Sequence, residues 1–214
     1  MKRFYTSVGV TGTGKAWQVT LDGRGIKTVQ GAPQLAPTEP LARALADEWD
    51  AQGEKLDPAT FPLRDMTDYA LDLVTVAKEA FADKLVAYAD TDTLLYRADP
   101  DEAFFAHQRA VWEPIVTAFE TREGIRLTRV SGVMHAAQDE TAMARLRQRL
   151  RGLDPFALAG LEAMTTLAAS LTVGLSAMEE GAGPNNLWQA ARLEEEWQAA
   201  LWGLHIQRFA CRHI

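Results

Sequence analysis

The strongest constraint on the fold is a change in the periodicity of apolar residues along the chain. In the first third, short runs rich in strand-forming residues lie at positions 4–10, 17–21 and 26–29. Two glycine-containing stretches, at residues 11–15 and 22–25, separate these runs and have the composition of tight turns. From Thr67 onward the pattern is helical almost to the end. The sequence therefore predicts strands first and helices afterwards.

One helix is also predicted inside the N-terminal third. Thr38 is a suitable N-cap residue, and Gly53 is a suitable stop. Between them Leu41, Leu45 and Trp49 repeat every fourth residue, which places them on one helical face. We therefore expect this face, including Trp49, to lie in the core.

Further helices are expected throughout the rest of the chain. Pro114 suits the first turn of a helix that stops at Gly124, and Trp112 just before it is expected in the core. The predicted helices cover residues 67–88 with or without a break midway, 101–112, 114–122, 139–151 and 154–178. The fold class predicted is α+β, with a small β-rich N-terminal domain at residues 1–64 that carries one or two helices. A larger all-α domain is predicted at residues 65–214.

The segment at residues 154–178 is apolar enough to raise the question of a membrane span. Between Pro155 and Met178 its only charged residue is Glu162. However, it is rich in Ala, Thr, Ser and Gly, and it lacks flanking basic residues. A buried central helix is the better interpretation, and no membrane insertion is expected.

Charge and cysteine content exclude several classes of protein. The 214 residues carry a formal net charge of −7, which argues against a broad surface for nucleic acid or anionic lipid. The single cysteine, Cys211, excludes an intrachain disulfide and is typical of a reducing compartment. Basic residues cluster only near the end of one predicted helix, where cations favour the helix C-terminus, at Arg145, Arg147, Arg149 and Arg151.

A glycine-rich stretch raises an alternative function. Gly9, Gly14 and Lys15 match the glycine and lysine positions of a phosphate-binding loop. However, Ala16 stands where Ser or Thr should bind the metal, and a strand-like run follows where a helix should begin. A hairpin turn is the better interpretation. A nucleotide-dependent enzyme that uses the Gly9–Lys15 loop is the alternative to the function inferred below.

No other motif predicts catalysis, a cofactor or a metal. Asp90 and Asp92 could offer two carboxylates to a metal, but no further acidic residues complete a set, and a helix cap at Thr91 or Asp92 is the better interpretation. The histidines lack metal-ligand spacing and an HExxH pattern; they are His107, His135, His205 and His213.

The segment at residues 192–198 combines carboxylates with large apolar groups. If residues 188–202 form one helix, Glu195 lies seven residues from both Trp188 and Trp202 and shares a face with them. Buried carboxylates need partners, and large aromatic groups are costly to leave in water. Three interpretations of Glu194 and Glu195 therefore stay open. They are solvated on a helix surface, they pair internally with a cation such as Arg97 or Arg192, or they form part of a surface that binds a partner.

The order of several short motifs gives the chain a family resemblance. It resembles the F1-ATPase assembly chaperones that act on the alpha subunit of the ATP synthase catalytic head. The motifs that carry the resemblance are Arg3-Phe4-Tyr5, Leu21-Asp22 with Arg24, Lys27-Thr28, Pro37-Thr38, Glu48-Trp49-Asp50, Asp90-Thr91-Asp92-Thr93, Tyr96-Arg97, Gln108 with Trp112 and Pro114, Arg192-Leu193-Glu194-Glu195, Gln198 and Trp202-Gly203.

The resemblance implies a binding protein rather than an enzyme. It implies a small α+β domain followed by a helical domain, and a chaperone that holds unassembled alpha subunit until the beta subunit replaces it. The residues expected to contact this partner are Trp188, Glu194, Glu195, Gln198 and Trp202. The residues expected to be structural members of the family motif are Trp49, Asp92, Arg97 and Trp112.

Two features bear on the kind of relative. Family members usually carry acidic residues after the Trp-Gly pair, whereas here Leu204 to Phe209 follow, so the resemblance assigns no role to the tail at residues 204–214. The chain opens without a secretory signal or an Arg-rich transit peptide. We therefore expect a bacterial, cytoplasmic protein, or a protein of the mitochondrial matrix if a targeting peptide was removed.

Overall fold

The computed structural model describes residues 1–132 and 134–210, with side chains up to Trp202. The chain divides into two compact units. The first contains Met1–Lys78 together with Asp154–Gly160, and the second contains Glu79–Leu153 and the chain from Leu161 onward. A strand-rich N-terminal region followed by a larger helical part confirms the predicted α+β class. The domain boundary predicted between residues 64 and 65 refers to domains that fold independently. It stays a prediction.

The first unit is built on an antiparallel sheet. Strand β1 pairs with β2, and β2 pairs in turn with both β3 and β4. The strands are β1 (Val8–Gly12), β2 (Trp17–Leu21), β3 (Arg24–Gly25) and β4 (Leu35–Ala36). The stretch at residues 11–15 therefore includes the turn of the β1–β2 hairpin, as predicted.

Two strand predictions were wrong: the first strand is shorter than predicted, and the third does not form. Strand β1 starts at Val8 rather than at residue 4, because the Asp22 carboxylate binds the main-chain N–H groups of Thr6 and Ser7. A strand at residues 26–29 does not form. There the chain closes a tight turn, in which the Thr28 carbonyl accepts from the N–H of Gly31 at 2.9 Å. Gly31 has a φ of 89°, a conformation that glycine adopts without strain.

Helix α1 (Glu39–Asp50) covers the sheet of the first unit. Thr38 caps it by accepting from the N–H of Leu41, as predicted. Leu45 and Trp49 are buried on the face that the fourfold repeat predicted. The buried cluster that α1 shares with the sheet consists of Tyr5, Val19, Leu21, Ile26, Ala36, Ala42, Leu45, Trp49 and Phe61.

The helical segment predicted at residues 67–88 starts earlier and is interrupted. A short 3₁₀ turn at Pro58–Thr60 leads into α2 (Pro62–Tyr69), and a π-helical turn at Ala70–Val74 leads into α3 (Thr75–Asp90). Ala77 has non-helical backbone angles and kinks α3.

The second unit is mainly helical. Its two short strands, β5 (Tyr96–Arg97) and β6 (Val130–Ser131), pair in parallel. The helices that follow β5 are α4 (Ala103–Glu123), α5 (Glu140–Arg151), α6 (Pro155–Ala168), α7 (Leu171–Ala177), α8 (Pro184–Ala191) and α9 (Leu193–Ala210). Helix α6 begins in the first unit.

Pro114 does not begin a new helix, contrary to the prediction. It lies inside α4, which continues to Glu123 and ends at Gly124 with a φ of 65°. A proline inside a helix costs about 3 kcal/mol because it removes a hydrogen bond and crowds the preceding turn. Trp112 and Val116 are both fully buried, one on each side of Pro114. Their burial offsets this cost.

The segment predicted as one helix at residues 154–178 forms two. Between α6 and α7 the backbone of Ala169 has a φ of 47°, and its carbonyl accepts from Thr93 N–H at 3.1 Å and from Thr93 Oγ1 at 2.9 Å. Ser170 then caps α7 through the N–H of Val173. Among the helices of the described residues, none is both long enough and apolar enough to cross a bilayer.

Candidate functional site

The segment that carries the predicted partner-binding residues is not one helix. The backbone leaves helical geometry at Arg192, with φ −96° and ψ 9°, so that α8 ends and α9 begins there. The sevenfold register proposed between Trp188, Glu195 and Trp202 therefore does not hold across the break.

Buried residues on both sides of the break fix these helices in the second unit. Leu187 and Ala190 of α8 and Leu193 of α9 are buried. The indole Nε1–H of Trp112 donates to the Ala190 carbonyl at 2.7 Å. A buried indole that is hydrogen-bonded to a helix main chain holds the end of α8 at a defined position.

An aromatic cluster holds the first turns of α9. The ring of Trp197 stacks on Phe104, with centroids 5.2 Å apart and planes inclined by 27°. It also contacts the ring of His107 at 5.6 Å. Both partners lie on α4, which supplies Trp112 as well. Helix α4 thus supports both helices of the segment.

All five predicted partner-binding residues are exposed. Trp188 is 42% and Trp202 is 67% exposed, values that are high for the largest apolar side chain. The neighbouring Leu201 is 40% exposed. We call the exposed set the α8–α9 face, and it consists of Trp188, Glu194, Glu195, Gln198 and Trp202.

Glu195 pairs with the residue at the helix break. The guanidinium of Arg192 lies 3.0 Å from the Glu195 carboxylate and 5.6 Å from the centre of the Trp188 ring. The pair with Arg192 that was considered from the sequence therefore forms, but both charged side chains are exposed, so the pair lies at the surface and not in the interior. Arg97 instead binds Glu113 at 3.1 Å. At the surface Arg192 therefore links Glu195 to the Trp188 ring, and within α9 Glu195 and Trp202, seven residues apart, share a helical face.

Asp92 is fully buried and caps a short helical turn, as the sequence predicted. Its carboxylate also binds groups that the sequence does not indicate. Its carboxylate accepts from the N–H of Leu94 at 3.0 Å and from the N–H of Thr172 at 2.8 Å. Burial raises the pKa of Asp92, while hydrogen bonds from Ser170 and Thr172 oppose the rise. Asp92 therefore ties the 3₁₀ turn at Thr93–Leu95 to the first turn of α7.

Arg97 belongs to a charge network that sequence reasoning missed. Arg129 binds Glu113 at 2.7 Å and also binds Glu120. Burial raises the pKa of both carboxyl groups, but the arginines outweigh it and leave each pKa below its ordinary value. Glu113 and Glu120 are seven residues apart on α4. In the sequence, this spacing indicates that the two carboxylates share a face of the helix.

The remaining candidates have structural roles. In the arginine cluster of α5, Arg147 binds Asp83 at 3.0 Å and Arg151 binds Glu79 at 2.7 Å. Among the described residues, no three of His, Cys, Asp and Glu are grouped as a metal site requires. Cys211 lies outside the part of the chain that the structure describes.

Comparison with known proteins gives the family. The model of the ATP12 chaperone protein family matches residues 2–120. Two solved structures of Atp12 from Paracoccus denitrificans, one of them a point variant, are 36% identical to this chain with a TM-score of 0.90. Each match covers 94% of this chain and 86% or 87% of the other.

A further structure is similarly close. The Atu1473 protein from Agrobacterium tumefaciens is 34% identical, with a TM-score of 0.89 over 98% of this chain and 80% of that protein. The family match extends over more than half of the sequence and confirms the resemblance inferred from the motifs. The chain therefore belongs to the ATP12 chaperone family.

Proposed function

We propose that this chaperone acts in the assembly of the F1-ATPase, and that it holds the unassembled alpha subunit until the beta subunit takes its place. Membership in the ATP12 chaperone family supports the chaperone role. The observation that carries the finer proposal is the α8–α9 face, where two indole rings are exposed. Trp188 lies on α8, which buries Leu187 and Ala190, and Trp202 lies on α9, which buries Leu193 at its start.

An exposed aromatic pair on a supported helix suits a protein partner. Trp188 and Trp202 offer large apolar areas, and tryptophan is enriched among the residues that contribute most to binding energy at interfaces. Because α4 holds the end of α8 through Trp112 and the first turns of α9 through Phe104, little conformational entropy is lost there when a partner docks. The alpha subunit exposes a large apolar interface before assembly, which makes it prone to aggregate and a suitable client.

The acidic part of the same face suits reversible binding. Among the described residues, the charged partner of Glu195 is the exposed Arg192, and exposed ion pairs contribute about 0–1 kcal/mol. A cation on the client can therefore replace Arg192 at low cost. Because binding would depend on exposed charges and two tryptophan side chains, the beta subunit could displace the chaperone from the alpha subunit when it arrives.

The proposal is tested with purified components. Alpha subunit diluted from denaturant with an equimolar amount of this chaperone is expected to stay in the supernatant after centrifugation, whereas alone it sediments. Addition of beta subunit is expected to transfer alpha into an alpha–beta complex and free the chaperone on a sizing column. Equal sedimentation of alpha with and without the chaperone would contradict the proposal.

The alternative, a nucleotide-dependent enzyme, receives no support from the loop that suggested it. The Gly9–Lys15 stretch joins two antiparallel strands, and the N–H of Thr13 donates to the carbonyl of Ala16 at 2.7 Å. A strand follows the turn, so the loop lacks the helix N-terminus that binds phosphate in nucleotide-binding loops.

A further inference from the structure

The first unit contains a cavity with an aromatic wall and two cations: we propose that it binds a segment of a protein partner in which a carboxylate lies next to a large apolar side chain. The cavity has a volume of about 510 Å³. All of its lining residues belong to the first unit, whereas the α8–α9 face belongs to the second. The proposal is independent of that face and of the identity of the client.

One part of the cavity wall is apolar. Tyr5, Leu21, Ile26 and Trp49 line the cavity, and all four belong to the buried cluster of the first unit. Phe4 lines it as well and packs edge-on against Tyr5, with ring centroids 5.3 Å apart. The Phe4 side chain is 61% exposed. A partner that covers this ring therefore gains free energy from the apolar area removed from water.

Two cations without an ion-pair partner line the same cavity. Arg24 and Lys27 are both exposed, and neither forms an ion pair with another described residue. Arg24 lies directly opposite Leu21 across the β2–β3 hairpin, so the two side chains leave the same face of the sheet. Because Leu21 is buried on that face, the Arg24 side chain starts on the core side of the sheet, beside the apolar wall.

Among the described residues, one carboxylate lines the cavity, and it is bound elsewhere. Asp22 accepts from the main-chain N–H groups of Thr6 at 3.0 Å and Ser7 at 2.8 Å, and from both hydroxyl groups. The hydrogen bonds from these N–H groups lower the pKa of Asp22 to about 2, so the carboxylate keeps its charge at neutral pH. With Arg24 and Lys27, the lining carries two positive charges and one negative charge, which leaves a net charge that one carboxylate neutralises.

The cavity collects residues that are far apart in the sequence, and packing accounts for only some of them. Burial in the core explains Tyr5 and Trp49, but it does not explain the exposed Phe4, Arg24 and Lys27. All five residues belong to motifs that carry the family resemblance, and the α8–α9 face uses none of these motifs. They are Arg3-Phe4-Tyr5, Leu21-Asp22 with Arg24, Lys27-Thr28 and Glu48-Trp49-Asp50.

The combination of charge and apolar wall selects the ligand. A carboxylate alone would leave the aromatic wall uncovered, and an apolar group alone would leave both cations unpaired. Ligand sites combine apolar walls with a few polar groups in this way, and their volumes are about 300–1,000 Å³. The exposed Phe4 ring favours a ligand on a peptide chain over a small organic acid, since a chain that leaves the cavity can cover the ring.

Peptide titration of the full-length protein, followed by amide NMR spectra, tests the proposal. The probe is an eight-residue peptide of Gly and Ser with Glu-Phe at its centre, and the two controls replace its Glu by Gln or its Phe by Ser. We expect the probe to shift the amide signals of Tyr5, Arg24 and Ile26, and each control to bind at least about tenfold more weakly. Unchanged signals at these three amides, or equal binding of either control, would overturn the proposal.

A small acid distinguishes the two sources of this chemistry. 3-Phenylpropionate carries a carboxylate and a phenyl ring without a peptide chain. We expect it to bind more weakly than the probe peptide, because it cannot cover Phe4 outside the cavity. Equal or tighter binding of 3-phenylpropionate would assign the cavity to small organic acids and would overturn the proposal of a peptide partner.

Matched variants locate the binding site on the protein. Lys27→Glu reverses a lining cation, and Lys15→Glu is its control, since Lys15 is exposed on the β1–β2 turn and does not line the cavity. The Kd of the probe should rise about tenfold in Lys27→Glu and less than about twofold in Lys15→Glu. Phe4→Ala should also weaken binding, whereas Val29→Ala, at a residue that is 86% exposed, should not. All four variants should fold, since the four side chains are exposed, and melting temperatures check this. Equal Kd values for the two charge variants, or for the two apolar variants, would overturn the proposal.

Discussion

Four of the six tryptophans of this protein fall into two groups that have different physical roles. Trp49 is 8% exposed and Trp112 is fully buried, so both belong to the interior of their units. Trp188 and Trp202, by contrast, are 42% and 67% exposed. The same residue type therefore contributes to stability in the first group, and we propose that it contributes to partner binding in the second.

Replacing Trp49 tests the first of these roles. Removal of a buried aromatic side chain costs about 3–5 kcal/mol, and the ring packs against Tyr5 at 5.6 Å and Phe61 at 4.6 Å. Trp49→Ala is expected to lower the free energy of unfolding by this amount, measured by denaturant titration. Trp49→Phe should lose less, since the indole Nε1–H has no acceptor among the described residues.

The matched control for Trp49→Ala is Trp202→Ala. Because Trp202 is 67% exposed, its loss should change the free energy of unfolding by no more than about 0.5 kcal/mol. A large loss of stability in Trp202→Ala, or none in Trp49→Ala, would contradict the division of the tryptophans.

Among the helices and strands, the sequence predicted best those elements whose caps and apolar contacts lie within the element itself. The helix capped by Thr38 was predicted closely, because its cap and its apolar repeat lie within the helix itself. The helix through Pro114 and the break at Ala169 were not predicted. In the first case burial of Trp112 outweighs the proline, and in the second Thr93, far away in sequence, binds the Ala169 carbonyl. Such long-range contacts leave no local pattern.

The charge network on α4 is another long-range feature, and it fixes the segment after that helix. Glu120 is buried, and its carboxylate accepts from the N–H of Leu127 at 2.6 Å and binds Arg126 at 3.1 Å as well as Arg129. Since Arg129 immediately precedes β6, the network holds this strand in place beside β5. Opposite charges in this arrangement stabilise the fold only while the carboxylates are ionised.

Glu120→Gln is expected to reduce both stability and its dependence on pH. The pKa of Glu120 lies below its ordinary value in the folded state, so its contribution is present above the unfolded pKa of about 4.3 and is lost as the pH falls through the folded value. At pH 7 the variant should lose about 3 kcal/mol, because the partly buried Arg129 and the N–H of Leu127 lose a charged partner.

Denaturant titrations between pH 3 and pH 7 measure this effect. The control is Glu79→Gln, which alters the exposed pair with Arg151 and should cost no more than about 1 kcal/mol. The network does not contribute as proposed if the Glu120→Gln and Glu79→Gln variants have the same stability at every pH.

At the scale of the whole molecule, the sequence predicted the family and the exposed residues better than their arrangement. Every residue of the proposed α8–α9 face was named from the sequence, and each is exposed. The break at Arg192 was not foreseen, because that segment has neither glycine nor proline to mark it. The support of the face by Trp112 and Phe104 could not be predicted either, since it depends on how α4 packs beneath α8 and α9.

Glu195→Lys tests whether the α8–α9 face binds unassembled alpha subunit. Glu196→Lys is the matched control, since it makes the same charge change at the next exposed residue of α9, outside the proposed face. Melting temperature and the fraction of alpha subunit kept soluble are measured on the same samples. We expect both variants to melt within a few degrees of the original protein. Only Glu195→Lys should fail to keep alpha soluble. A Glu195→Lys protein that is stable and still protects alpha would show that this face does not bind the subunit.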